Sequence, residues 1–285
     1  MSTFPRTTVG GLSVSRMIIG TNWFAGWSHT GPSQDQLIWD NVPDSKAMAQ
    51  IIKVFVEAGV DTIMGPMTDH RNILAGVREA EQLTGKRLIK VDTPFLNMGD
   101  SPEDLAAAER LLDQVKANDV DICMPHHQMV EQFVDKRAKK IHRLGIYTKM
   151  IRDRGMIPGL SAHMPEVVMY CDGNNEDVEA YIQIYNAAGF LMQLEVEFIQ
   201  RLIHTAKKPV MTIKPMAAGR LTPLVGLNFV WNTIRDCDMV TVGTMSPREA
   251  EEVIEYSLAA LERRLPNVYE RSSPGKGKGT ILDQE

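Results

Sequence analysis

Short runs of strand-forming residues alternate with stretches of helical period along the whole chain, and this alternation restricts the fold more than any other feature. The runs are MIIGT (17–21), VDTIM (60–64), LIKVD (88–92), VDICM (120–124), MIPGLS (156–161), YIQIYN (181–186), VMTIK (210–214) and MVTVGT (239–244). Between them apolar residues recur every three or four positions. Met48, Ile51, Ile52, Phe55 and Val56 form one such face before Gly59, which is suited to end the helix, and Leu105, Ala108, Leu111, Leu112 and Val115 form another. In the last segment Ser246 is placed as an N-cap, Pro247 in the first turn, and Ala250, Val253, Ile254 and Leu258 on the apolar stripe. Helical crossovers join parallel strands. Eight repeats in 285 residues therefore predict an α/β chain folded as a (β/α)8 barrel, which takes ~250 residues as one unit, with an open doubly wound sheet as the alternative that the count leaves.

The segments outside the alternation are few. FPRTTVGGLSVSR carries the turn VGGL between two short β-like runs and predicts an N-terminal hairpin that caps the barrel floor. Residues 1–264 read as the single barrel domain. Residues 265–285, LPNVYERSSPGKGKGTILDQE, are rich in Gly, Ser, Pro and charge and read as a polar tail; GKGKGT lacks the spacing of a phosphate loop. The long connection 26–45 after the first strand is placed to cover the barrel mouth. A basic helical region is expected at 134–154, with its charges on a solvated face.

Composition sets the function classes. A net charge of -5 gives no basic surplus for phosphate backbones, so a nucleic-acid partner is not expected. Cys123, Cys171 and Cys237 are odd in number and lack CxxC spacing, which argues against a disulfide framework or a zinc cluster. The apolar runs fall short of the ~20 residues of a membrane helix, and the first residues lack a signal-peptide pattern, so the expected location is the cytoplasm with no membrane partner. A small-molecule substrate is the expected partner, and self-association into a homo-oligomer is left open.

In a parallel barrel both strand faces are covered, and charge is tolerated mainly at the C-terminal mouth. The strand ends in order offer Asn22 and Trp23, Asp61, Lys90 and Asp92, His126 and His127, Ser161 and His163, Gln183, Lys214 and Thr244. So many polar groups at one rim predict a ligand site. Lys90 and Asp92 are expected on the interior face as a charge pair, coupled to Asp61, while His127 and His70 are expected at the surface.

These residues resemble the aldo-keto reductase family over roughly residues 6–262. The hairpin followed by SRMIIGT, GVDT in the second strand, VDICMPHH in the fourth, GLSAHMPE in the fifth, YIQIYN in the sixth, IKPMAAGRL in the seventh and VGTMSPREAEEVIE at the last strand and helix carry the similarity. The resemblance implies a catalytic tetrad of Asp, Tyr, Lys and His around a carbonyl, with hydride from a nicotinamide. It assigns Asp61 and His126 to the Asp and His. Pro66 stands where the Tyr belongs, and the Lys position falls on Asp92, with Lys90 two residues away. For the cofactor it assigns Ser161 and Gln183 to the carboxamide and adds Lys214, Arg220, Ser246 and Arg248, a phosphate being open at the helix capped by Ser246 beside Arg220 or Arg248, whereas Ala162, Ile213, Met245 and Val253 replace residues that the family commonly uses.

The expectation is thus a divergent aldo-keto reductase-like enzyme acting on a small carbonyl or polyhydroxy compound. Its acid/base chemistry falls to Asp61, Lys90, Asp92 and His126, with Trp23 and His163 on the substrate. Weak NADP or NAD binding is open, and the missing Tyr argues against ordinary NADPH-dependent reduction. Two alternatives stand beside it. One is a lyase, isomerase or aldolase on the same barrel, using a divalent metal on His126, His163, Asp92 and Asp61 or a Schiff base on Lys90 or Lys214. The other is a non-catalytic metabolite-binding protein.

Overall fold

The computed structural model describes residues 3–268, so only the start of the polar tail expected at 265–285 falls among the described residues. The chain opens with the antiparallel hairpin β1 (Arg6–Val9) and β2 (Leu12–Ser15). Its two-residue turn is Gly10-Gly11, with φ of +54° and +86°, the left-handed values that tight hairpin turns require of both central residues. Val9 and Val14 of the hairpin pack with Ile18, Ile89, Val91, Ile122, Met211 and Met239, so the hairpin plugs the bottom of the barrel.

Seven continuous strands and one broken strand close the barrel. They are β3 (Met17–Gly20), β4 (Thr62–Gly65), β5 (Ile89–Asp92), β6 (Ile122–Cys123), then β9 (Ile157–Pro158) with β10 (Leu160–Ser161), β11 (Tyr181–Ile184), β12 (Val210–Ile213) and β13 (Met239–Val242). All neighbours are parallel, and β13 pairs with β3 through Val240 and Met17. The break at Gly159 lets one strand serve both neighbours. Gly159 N donates to Cys123 O at 3.1 Å on one side, and Leu160 N donates to Ala180 O at 3.1 Å on the other. A Cβ on Gly159 would lie 2.7 Å from Met124 Cε and 2.8 Å from Ala180 O, so the close approach requires glycine.

The helices α1 (Pro32–Asn41), α2 (Ser45–Glu57), α3 (Arg71–Thr84), α4 (Pro102–Ala117), α5 (His127–Val130), α6 (Leu144–Asp153), α7 (Pro165–Asn174), α8 (Val196–Thr205), α9 (Pro223–Thr233) and α10 (Pro247–Glu262) follow the strands. The apolar stripe of α2 is buried at Met48, Ile51, Ile52, Phe55 and Val56, each such side chain contributing roughly 1.5–3 kcal/mol. Ser246 caps α10 by accepting from Glu249 N at 3.1 Å. The basic stretch 134–154 departs from the helical expectation in its first half. It forms a small antiparallel ladder of β7 (Val134–Asp135) and β8 (Lys140–Ile141) before α6, and most of its cations pair with acids, including Lys136 with Glu166, Arg152 with Asp177 and Glu179, and Arg154 with Asp113.

The fold corrects three expected positions. The second strand starts at Thr62 rather than Val60, which leaves Asp61 at its N-terminal end on the barrel floor, where Oδ2 accepts from Arg6 Nη1 of the hairpin at 2.8 Å. On β5 the residues that fill the barrel are Ile89 and Val91; strand alternation then turns Lys90 and Asp92 outward under the helices. The buried ammonium of Lys90 pairs with Glu81 of α3 at 2.8 Å and with Asp119 at 3.4 Å, not with Asp92. Interior space at this level is already taken by apolar side chains, so the charges go where acids can meet them.

Candidate active site at the barrel mouth

A cavity of about 780 Å³ opens at the C-terminal ends of the strands. Its walls come from the chain just after β3 (Asn22, Trp23, Trp27, Ser28 and His29), from the ends of β4 to β6 (Pro66, Thr93, Phe95, His126 and His127), from Ser161 and His163 beyond β10, from Lys214 to Pro223 beyond β12, and from Thr244, Glu249, Glu252 and Val253 around the start of α10. The connection 26–45 therefore does form part of the mouth.

His126 sits at the cap of α5, where its Nδ1 accepts from Gln128 N at 3.4 Å. An accepting Nδ1 leaves the proton of the neutral ring on Nε2. The ring packs on Phe95 at 4.3 Å between centroids on one side and on His127 at 4.3 Å on the other. His127 in turn stacks on His163 at 3.6 Å with 20° between planes. Burial, with the neighbouring His127, pushes His126 down to about 4 and His163 to about 3. Glu131 holds the row in place: its Oε1 accepts from His163 N and Met164 N, at 2.5 and 2.8 Å, and its Oε2 lies 3.8 Å from His127 Nδ1, ion-pair range rather than hydrogen-bond range.

Across the cavity stands His29, whose Nε2 accepts from Asn22 Nδ2 at 3.1 Å and whose pKa burial lowers to about 4. Lys214 lies close enough to His29 and His163 for its charge to contribute to both shifts. Desolvation lowers Lys214 itself to about 8, and its backbone takes φ of +60°, a left-handed conformation that costs a non-glycine residue roughly 1 kcal/mol or more. At neutral pH the mouth thus presents His29, His126 and His163 in their neutral form beside an amine that is held close to its own titration.

Of the residues singled out by sequence, the structure brings Trp23, His126, Ser161, His163, Lys214 and Arg220 to this cavity. Arg220 stacks its guanidinium on Phe190 at 3.9 Å and donates to Ala217 O at 3.2 Å. Asp61 and Lys90 are at the floor and under α3, as described. Asp92 is behind the wall, where its Oδ2 accepts from Thr68 N at 3.2 Å and from Thr68 Oγ1. Gln183 points outward from β11 because Ile182 takes the inner face; its Nε2 donates to His163 O at 3.3 Å, so it buttresses the histidine row from behind. Ser246 spends its hydroxyl on the helix cap, and Arg248 is exposed and pairs with Glu251 and Glu252.

His29, Trp27, Phe95, Glu249 and Glu252 belong to the site without having been singled out, and His127 lines it rather than the outer surface. GWSHT gave some signal, since a Trp and a His stand in a long connection beyond a strand end. The metal alternative loses its geometry. Asp61 and Asp92 are away from the histidines, the stacked rings meet face to face so that their nitrogens do not converge, and among the described residues no group of three His, Cys, Asp or Glu side chains is arranged to hold a metal ion.

A phosphate-bearing cofactor is also poorly matched. In this fold the N-terminus of the last helix is the natural anion site. Here Glu249 fills it with its own carboxylate, Oε2 accepting from Met245 N at 2.8 Å, and Glu252 adds a second acid to the same wall. Ser161 remains open to a carboxamide, but the residues around α10 do not fit a phosphate.

No protein-family model and no curated protein matches the sequence. Solved structures match it in fold. PA4992 of Pseudomonas aeruginosa, described as an aldo-keto reductase, superposes with a TM-score of 0.64 at 16% identity over 90% of this chain and 96% of its own. An aldo-keto reductase of Brucella melitensis gives 0.56 at 12% identity over 92% and 98%, and one of Klebsiella pneumoniae, solved with NADPH, gives 0.54 at 15% identity over 94% and 92%. The architecture is that of the aldo-keto reductase barrel. At such identities the likeness is one of fold, and chemistry has to be read from the site.

Proposed function

We propose that this chain is an aldo-keto reductase-like enzyme that binds a small carbonyl or polyhydroxy compound at the barrel mouth and acts on it by proton transfer. The observation that carries the reading is the convergence of His126, His163, His29 and Lys214 on one cavity walled by Trp23, Trp27 and Phe95. Indole and phenyl faces suit the C–H faces of a sugar-like ligand, while Asn22, Ser161 and the imidazoles supply neutral hydrogen-bond partners for hydroxyl and carbonyl oxygens. In this reading the Nε2–H of His126 donates to the carbonyl oxygen, the part that the missing tyrosine plays in the resemblance. Asp61, Lys90 and Asp92 drop out of the chemistry.

The NADPH present in the Klebsiella neighbour is not carried over as a tight ligand, because Glu249 and Glu252 face the place where a phosphate would rest. Tryptophan fluorescence titrated with short aldehydes, ketoses and hydroxy acids tests the reading, since Trp23 and Trp27 both line the cavity. Saturable quenching that is weakened by His126→Gln, together with turnover of the same compound, is the expected result. Quenching without turnover would instead favour a metabolite-binding protein.

A further inference from the structure

Lys214 is an unusual amine in this chain. Lys90, the other lysine considered for covalent chemistry, is neutralised by Glu81 and Asp119 outside the barrel. Lys136, Lys149 and Lys208 pair with acids at the surface. Lys214 is half-buried in the wall of the main cavity, and no hydrogen bond or ion pair to its ammonium occurs among the described residues. An unpaired ammonium in a partly desolvated wall is costly, and a left-handed backbone adds to the cost. Stability alone would favour a methionine or leucine there. Retaining the amine points to a use for it.

We propose that Lys214 captures the substrate carbonyl covalently, as a protonated imine formed at the cavity wall beside His29 and His163; the proposal rests on the reading above that the cavity takes a carbonyl compound. The amine lone pair attacks the carbonyl carbon, a C–N bond forms, and the oxygen takes a proton to give a carbinolamine. The hydroxyl then leaves as water while C=N forms. Free amine, carbonyl and one proton, the proton that the ammonium form of Lys214 sheds before attack, are thus converted into protonated imine and water, with no oxidant or reductant consumed. The proton shed by the amine needs a nearby acceptor and must return to the departing oxygen. The neutral imidazoles of His29 and His163, close enough to feel the charge of Lys214, are the side chains for that relay.

The test is reductive trapping. The full-length protein is held at pH 7.5 with glycolaldehyde or dihydroxyacetone and sodium cyanoborohydride, and adducts are mapped by peptide mass spectrometry while binding of the same compound is followed by tryptophan fluorescence. At that pH an amine titrating near 8 has a free fraction roughly a hundredfold or more above that of an ordinary lysine. One dominant adduct at Lys214 is expected, at least about tenfold above the mean of the other lysines, rising with pH up to about 8 and then levelling. It should vanish in Lys214→Met and Lys214→Arg, the second keeping the charge should the first fold poorly. Saturable binding with adducts spread evenly over the lysines overturns the imine and leaves the reading of the cavity standing. Neither binding nor a Lys214 adduct overturns both.

Discussion

The imidazoles of His127 and His163 stack 3.6 Å apart, and the pair is extended by His126 at 4.3 Å, so three rings form one row along the cavity wall. Burial and the neighbouring His127 both disfavour a charge on His126 and on His163.

Proton NMR should therefore find the ring resonances of His126 and His163 unmoved between pH 8 and about 5, since both titrate near 3 to 4. The sign for stability follows from linkage. Their folded pKa lies below the unfolded value, so the unfolded chain takes up more protons as pH falls through about 6.5, and stability is lost from there toward pH 4. Replacing His163 by Gln should flatten that part of the pH profile of thermal unfolding. A His163 titration near 6.5 would contradict the neutral form assigned to that ring.

Asp92 works in the opposite direction. Burial raises it to about 7, and Oδ1 has no hydrogen-bond partner among the described residues. A carboxyl with a raised folded pKa stays protonated in the native state while the unfolded chain has released its proton, so its contribution falls as pH climbs from about 4 to about 7 and stays low above that. Asp92→Asn should gain roughly 1–3 kcal/mol at pH 8 and little at pH 4, read by urea unfolding at the two values. Ligand binding at the mouth should survive, because Asp92 does not line the cavity.

Asp61 and Arg6 join the floor hairpin to β4 through a single partly exposed ion pair of 2.8 Å. Such pairs are worth under about 1 kcal/mol, so Asp61→Asn should shift unfolding only slightly. Fluorescence titration of the same variant should give unchanged affinity for any cavity ligand. A loss of turnover with an intact fold would return Asp61 to the chemistry and contradict its position at the opposite end of the barrel.

Glu249 and Glu252 make the last prediction. NADPH should bind weakly to the wild-type protein, and the double variant Glu249→Gln/Glu252→Gln should bind it up to about tenfold more tightly, since two acids on the wall no longer repel a phosphate, each such exposed charge contact being worth roughly 0.2–1 kcal/mol, and Arg248 loses an ion-pair partner. Calorimetry with NADPH, and with NADH as the control lacking the extra phosphate, would read this. Equal affinity in wild type and variant would show that α10 has no part in nucleotide binding.

The sequence by itself determined the alternation of strands and helices, which a closed barrel and an open doubly wound sheet share. The Gly10-Gly11 turn and the Ser246 cap are local properties of neighbouring residues, and they appear in the fold where the pattern puts them. It also determined that Lys90 and Asp92 share a face of β5, because alternation is fixed by covalent geometry. Which face turns inward was not local. That was decided by Val9, Val14, Ile18 and Ile122, which fill the interior beside Ile89 and Val91 from other parts of the chain, and by Glu81 and Asp119, which receive Lys90 outside. Asp61, expected at the mouth, precedes β4 and so lies at the floor, where Arg6 of the hairpin meets it. The site depends on still longer-range placement: His29, His126, His163 and Lys214 come from four separate connections, and only closure of the barrel, β13 against β3, brings those connections around one cavity.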